Sequence, residues 1–164
     1  MKLIPKLIRP YFKLIRQSED ADNSLVEGKL TCCTVHDFEI FIVGNIKRCL
    51  FSKRFLYSEN DEIVLEARCK RCDKIIPVFN SSIEGYRNLG VTKKNICATP
   101  RHIDCEKCRN DSFSVTIKYE YPNIQELQEI EISDLDKAFT WIWITLECSK
   151  CGKKYKNFVD FETT

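Results

Sequence analysis

Eight of the ten cysteines in this chain of 164 residues fall in close pairs, and that arrangement limits its folding more than any other feature. Cys105-Glu-Lys-Cys108 and Cys148-Ser-Lys-Cys151 frame one segment, and Cys32-Cys33 with Cys69-Lys-Arg-Cys72 frame an earlier segment of similar length. Four thiolates delivered as two pairs, each on a tight turn, suit the tetrahedral preference of Zn²⁺. The pairs predict two structural zinc sites, one from Cys105, Cys108, Cys148 and Cys151, the other from Cys32, Cys33, Cys69 and Cys72.

In an exported chain an even cysteine count would instead imply a disulfide framework. The N-terminal stretch MKLIPKLIRPYFKLIRQ has no uninterrupted apolar core and no small-residue cleavage site. No apolar run approaches the roughly 18 residues that span a bilayer. A reducing cytoplasmic location with metal-bound thiolates is therefore expected, and disulfides are the alternative for a chain exported by another route.

The two framed segments match beyond their cysteines. Cys33 stands five residues before Phe38, as Cys108 stands five before Phe113. Each Phe opens an alternating run, Phe38 to Val43 and Phe113 to Tyr119, and each second clip ends another, Glu62 to Ala67 and Thr140 to Leu146. A shift of 79 positions carries Cys69, Cys72 and Phe79 onto Cys148, Cys151 and Phe158. This is an internal repeat whose period-2 patterning predicts antiparallel strands. One further strand follows each second clip, Lys74 to Phe79 and Lys153 to Phe161.

The succession of knuckle, strand, return strand, second knuckle and third strand resembles the zinc-ribbon superfamily over Thr31 to Phe79 and Ile103 to Phe161. The resemblance implies closed, structural metal sites and assigns no single function, because ribbons serve many roles. Gly152 fits it, standing just after a knuckle where positive φ is often needed. Two departures stand out. The spacers between clips are 39 and 35 residues, so each hairpin carries an extended tip. In the first copy Leu30 stands where the earlier cysteine is expected, and Cys32 is adjacent to Cys33. The ligands there are either Cys32/Cys33/Cys69/Cys72, the preferred set, or Cys33/His36/Cys69/Cys72, and the remaining alternative is a decayed, metal-free ribbon whose thiols are buried as small hydrophobes. Cys49, Cys97 and His102 are expected to be ordinary side chains or outer neighbours of a site.

Three segments lie outside the repeats. Leu3, Ile4, Leu7, Ile8, Tyr11, Phe12, Leu14 and Ile15 form a helical stripe opposite Lys2, Lys6, Arg9, Lys13 and Arg16, predicting a basic amphipathic helix over 1–20 that docks on the body. Pro10 should kink or restart it. The first insert, 44–60, mixes Lys47, Arg48, Lys53 and Arg54 with Leu50, Phe51, Phe55, Leu56 and Tyr57. The second, between Glu120 and Asp136, is acidic without a basic residue, and Asn123 with Glu126 predicts a capped helix at 124–129. Ser81 with Glu84 predicts another, ending near Gly90.

The expected fold is thus mostly β, with two tandem zinc-ribbon-like antiparallel units packed together, an N-terminal helix and short inserted helices. The expected divisions are 1–20, 21–90 and 91–164. Neither histidine lies in a metalloprotease motif, and the sequence carries no phosphate loop or nucleophile elbow, so no catalytic residue is assigned and a non-enzyme is expected. The formal charge of +2 becomes about −2 once two tetrathiolate zinc sites are formed. The expected role is a zinc-stabilised protein-binding module, an immunity or inhibitor protein that neutralises a partner toxin, with the acidic insert suited to a basic surface. A nucleic-acid-binding ribbon is the alternative, and a zinc or thiol sensor the third.

Overall fold

The alternation seen in the sequence becomes alternating burial. Phe38, Ile40 and Ile42 turn inward from one strand, as Phe113, Val115, Ile117, Tyr119 and Tyr121 do from another. The structure is a computed structural model that describes residues 3–20, 22–48, 54–89, 96–123 and 135–163. Its strands are β1 (Phe12–Glu19), β2 (Asn23–Leu30), β3 (Phe38–Val43), β4 (Asn45–Arg48), β5 (Arg54–Tyr57), β6 (Val64–Cys69), β7 (Ile75–Asn80), β8 (Arg101–Ile103), β9 (Phe113–Pro122), β10 (Trp141–Cys148) and β11 (Lys154–Glu162). All pairings are antiparallel, and the fold is mostly β.

The repeat is visible in the register. In β3–β6–β7 the opening Phe38 lies opposite Cys69, and in β9–β10–β11 the opening Phe113 lies opposite Cys148. The two triplets meet where Phe38 pairs with Phe113. Each triplet also receives a strand that leads into the other copy's first clip. β2, which precedes Cys32, pairs with β9, while β8, which precedes Cys105, pairs with β3. One curled sheet results, with β1 beyond β2 and a separate β4–β5 hairpin. Phe38, Phe113, Ile40, Ile117, Phe79 and Phe158 join a single apolar cluster drawn from both copies. Fully burying a side chain of this size contributes about 1.5–3 kcal/mol.

The N-terminal segment departs from the expected helix. A 3₁₀ turn at Arg9–Tyr11 is followed directly by β1. Pro10 cannot donate a helical hydrogen bond, and from Phe12 onward the chain pairs with β2 from Phe12↔Leu30 to Glu19↔Ser24. Gly28 makes this close approach possible: a Cβ there would stand 2.3 Å from the Phe12 ring. Part of the apolar stripe still covers the core, with Leu3, Ile4, Ile8 and Phe12 buried, while Leu7 and Ile15 are each 54% exposed.

The helix expected after Ser81 shrinks to a single turn. Ile83 and Glu84 donate their N–H groups to the Asn80 carbonyl, and Glu84 Oε2 accepts the Asn80 N–H at 2.7 Å. Gly85, at φ 95°, then diverts the chain into a 3₁₀ turn at Tyr86–Asn88. Ser81 instead bridges Ile63 and Asp61. The helix expected at 124–129 lies outside the described residues. The first insert forms β4–β5, whose Leu56 is buried.

Candidate metal centres

Three of the four clips are one turn repeated. Cys69, Cys105 and Cys148 each donate their N–H to the carbonyl five residues on, at Lys74, Asn110 and Lys153. Each accepts at its own carbonyl from the residue four on, namely Asp73, Arg109 and Gly152. Those three donating residues share a left-handed backbone, with φ of 57°, 59° and 67°. The turn reverses the chain and points both sulfurs of a clip to the same side.

Cys32-Cys33 solves the problem differently. Cys32 and Val35 exchange N–H···O bonds at 3.1 and 2.9 Å across Cys33 and Thr34, whose φ values are 51° and 64°. Two successive left-handed residues define a type I′ turn. Thr34 is β-branched, so this conformation is held against its preference. Arg71 helps to hold it, donating to the Cys33 carbonyl at 3.0 Å.

The eight paired cysteines come together as two groups, each with its four sulfurs within 4.8 Å of one another, that could hold a metal ion. The sulfurs stand 3.8 Å apart for Cys32–Cys33, 3.6 Å for Cys32–Cys72, 3.6 Å for Cys105–Cys151 and 3.5 Å for Cys108–Cys148. Tetrahedral ligands at a Zn–S distance of about 2.3 Å would lie about 3.8 Å apart, so the residues present fit such an ion. His36 is outside the first group. It is exposed, with Nδ1 3.4 Å from the Leu30 carbonyl. Cys97 is exposed, and Cys49 lies outside the described residues. His102 faces Asp104 at 3.5 Å and the Phe41 ring at 5.4 Å rather than a sulfur group.

The thiols are electrostatically unequal. Burial, reinforced by the neighbouring sulfurs, pushes Cys32 up to about 12. The backbone N–H of Lys74 and then the Cys33 thiol bring Cys72 down to about 7. In the second group, burial raises Cys105, but the Tyr155 hydroxyl and the N–H groups of Cys108 and Lys107 outweigh it and set the thiol at about 6. At Cys108 the Asn110 N–H favours the thiolate, yet burial and three nearby sulfurs carry it up to about 12. Four sulfurs this close ionise together only with a cation among them.

Outer neighbours fix the second group in place. The Tyr155 hydroxyl donates to Cys105 Sγ at 3.3 Å and accepts the Glu106 N–H at 3.0 Å. Asn110 Nδ2 lies 3.7 Å from Cys148 Sγ. Sequence spacing gave no sign of Tyr155, which sits on β11 beyond the clip and packs edge-on against Phe113. The β4–β5 hairpin braces the same region, with Arg54 over the Tyr155 ring and Arg48 3.7 Å from Glu106. The two groups are themselves tied together: Ser149 Oγ donates to Asp37 at 2.5 Å, and Lys70 Nζ to Asp111 at 2.8 Å.

Fold and site together define a mostly β protein with two tetrathiol groups, compatible with zinc-ribbon-like metal sites. No family model, curated protein or solved structure matches the chain.

Proposed function

We propose that the protein is a zinc-stabilised, non-catalytic binding module that occupies the surface of a protein partner, in the manner of an immunity or inhibitor protein. One observation carries the structural role of the metal. Each group offers four sulfurs, which fills a tetrahedral shell and leaves no position for water or substrate. Zn²⁺ bound there would hold hairpin ends that a small β core secures weakly, and metal binding contributes about 10–16 kcal/mol in small zinc modules. The thiol-rich composition favours a reducing, cytoplasmic setting. No helix among the described residues is long and apolar enough to cross a membrane.

Support for a protein partner comes from the open side of the sheet, where both tryptophans of the chain lie half-buried. Nucleic-acid binding draws less support. Arg48 and Arg54 of the basic insert are turned toward Glu106 and the Asp104 carbonyl. The test is affinity capture from the native host: the reading expects one protein in stoichiometric amount, and its absence would sink it. Binding that depends steeply on salt and is lost on Lys53→Glu with Arg54→Glu would favour nucleic acid instead.

A further inference from the structure

The outward side of the β1–β2–β9–β10–β11 half carries a feature the metal centres do not explain. Trp141 and Trp143 project from β10 with their rings stacked, centroids 5.5 Å apart and planes 9° from parallel. Register places Lys118 and Asp160 on either side of Trp143, and Glu120 and Glu162 on either side of Trp141. On β2, Glu27 lies opposite Lys118, and Arg16 of β1 lies opposite Glu27. Asp160 accepts the Trp141 Nε1–H at 2.8 Å and lies 3.4 Å from Asn157 Nδ2. A shallow depression lined by Glu27, Thr116, Lys118, Trp143, Thr145 and Asn157 opens beside the stack.

We infer that this face docks a basic segment of a protein partner, seating an Arg or Lys side chain against the Trp141 end of the stack. The inference rests on the protein-binding reading and names its surface. Three observations converge. The molecule already seats one cation here, with Lys118 Nζ 4.4 Å from the Trp143 centroid, which shows that the stack presents π-density to an ammonium. At the Trp141 end the neighbouring charges are carboxylates, Glu120 and Glu162 across the strands and Asp160 at the indole N–H, whereas Lys118, Arg16, Lys29 and Lys13 lie toward the Trp143 end with Glu27, so the Trp141 end favours a cation. Tryptophan is also the side chain most enriched among residues that dominate binding energy at protein interfaces.

Because the chain has two tryptophans and both are on this face, its intrinsic fluorescence reports on the site directly. The experiment titrates the purified full chain with a short peptide alternating Arg and Ser. The expected result is a saturable fluorescence change that weakens with salt, with affinity reduced roughly tenfold by Trp141→Ala and severalfold by Glu120→Gln. Glu120→Gln keeps the shape of the side chain and covers the case in which Trp141→Ala disturbs folding. The proposal is overturned by a folded chain that does not respond to the peptide, or by a response that survives both variants. A chain that ignores the peptide yet still captures a stoichiometric partner would lose this surface while keeping the binding-module reading.

Discussion

Three clips share one turn but fill its left-handed position with Asp73, Arg109 and Gly152, and that difference can be measured. A non-glycine residue held left-handed costs roughly 1–2 kcal/mol. Glycine gives back part of that gain, because it loses about 0.5–1 kcal/mol more backbone freedom on folding. At Gly152 a Cβ would meet nothing within 4 Å, so Gly152→Ala tests the conformation without a steric term. The expected loss is about 1 kcal/mol, or a fall of about 2–4 °C in Tm for a chain of this size. Arg109→Gly makes the reverse change at the equivalent position and should gain up to about 1 kcal/mol. Gly28→Ala is the steric control. It places a Cβ against the Phe12 ring at an ordinary φ and should destabilise through β1. The assay is denaturant unfolding at fixed free zinc, since metal bound to the folded state shifts apparent stability. A neutral Gly152→Ala, or a destabilising Arg109→Gly, would refute the shared-turn geometry.

Glu84 supplies a pH-dependent test. Burial, opposed by the Asn80 N–H and the Lys137 charge, raises its carboxyl from 4.5 to about 7. Well below pH 4.5 both folded and unfolded chains hold the proton and no penalty exists; between 4.5 and 7 only the unfolded chain ionises, so the cost to the folded state grows across that window and levels off above 7 at about 3 kcal/mol. Glu84→Gln should therefore stabilise the protein, by about 1 kcal/mol more at pH 8 than at pH 6, and a gain equal at both would contradict the buried carboxyl. At the second group, Tyr155→Phe removes the donor to Cys105 and should weaken metal binding about 10–100-fold in a competition titration with a chromogenic chelator. An unchanged affinity would show that Tyr155 merely packs.

Much of this architecture was legible because the relevant strands bury one face. Alternation at Phe38–Val43 and Phe113–Tyr119 gave β3 and the start of β9, and equal offsets from the clips gave their common register. The exchanged strands were not legible. β2 places Ser24 and Gly28 at inward positions, which hides its period, and β8 is three residues long. The N-terminal stretch misled because residues 3–15 satisfy a helical stripe, whereas Pro10 and the partner strand over Gly28 decide for extended chain. Cysteine spacing located both sulfur groups, but the Cys32–Cys33 turn depends on left-handed Cys33 and Thr34, residue types that do not advertise that conformation. Asp73 and Arg109 are hidden in the same way.

Metal stoichiometry tests most directly whether the two tetrathiol groups each hold a structural Zn²⁺, as proposed. Elemental analysis of purified protein should give two zinc ions per chain. Cys148→Ser should remove one and Cys69→Ser the other, while His36→Ala should leave both in place. Protein that folds without zinc, or a first-site zinc lost on His36→Ala, would contradict the account.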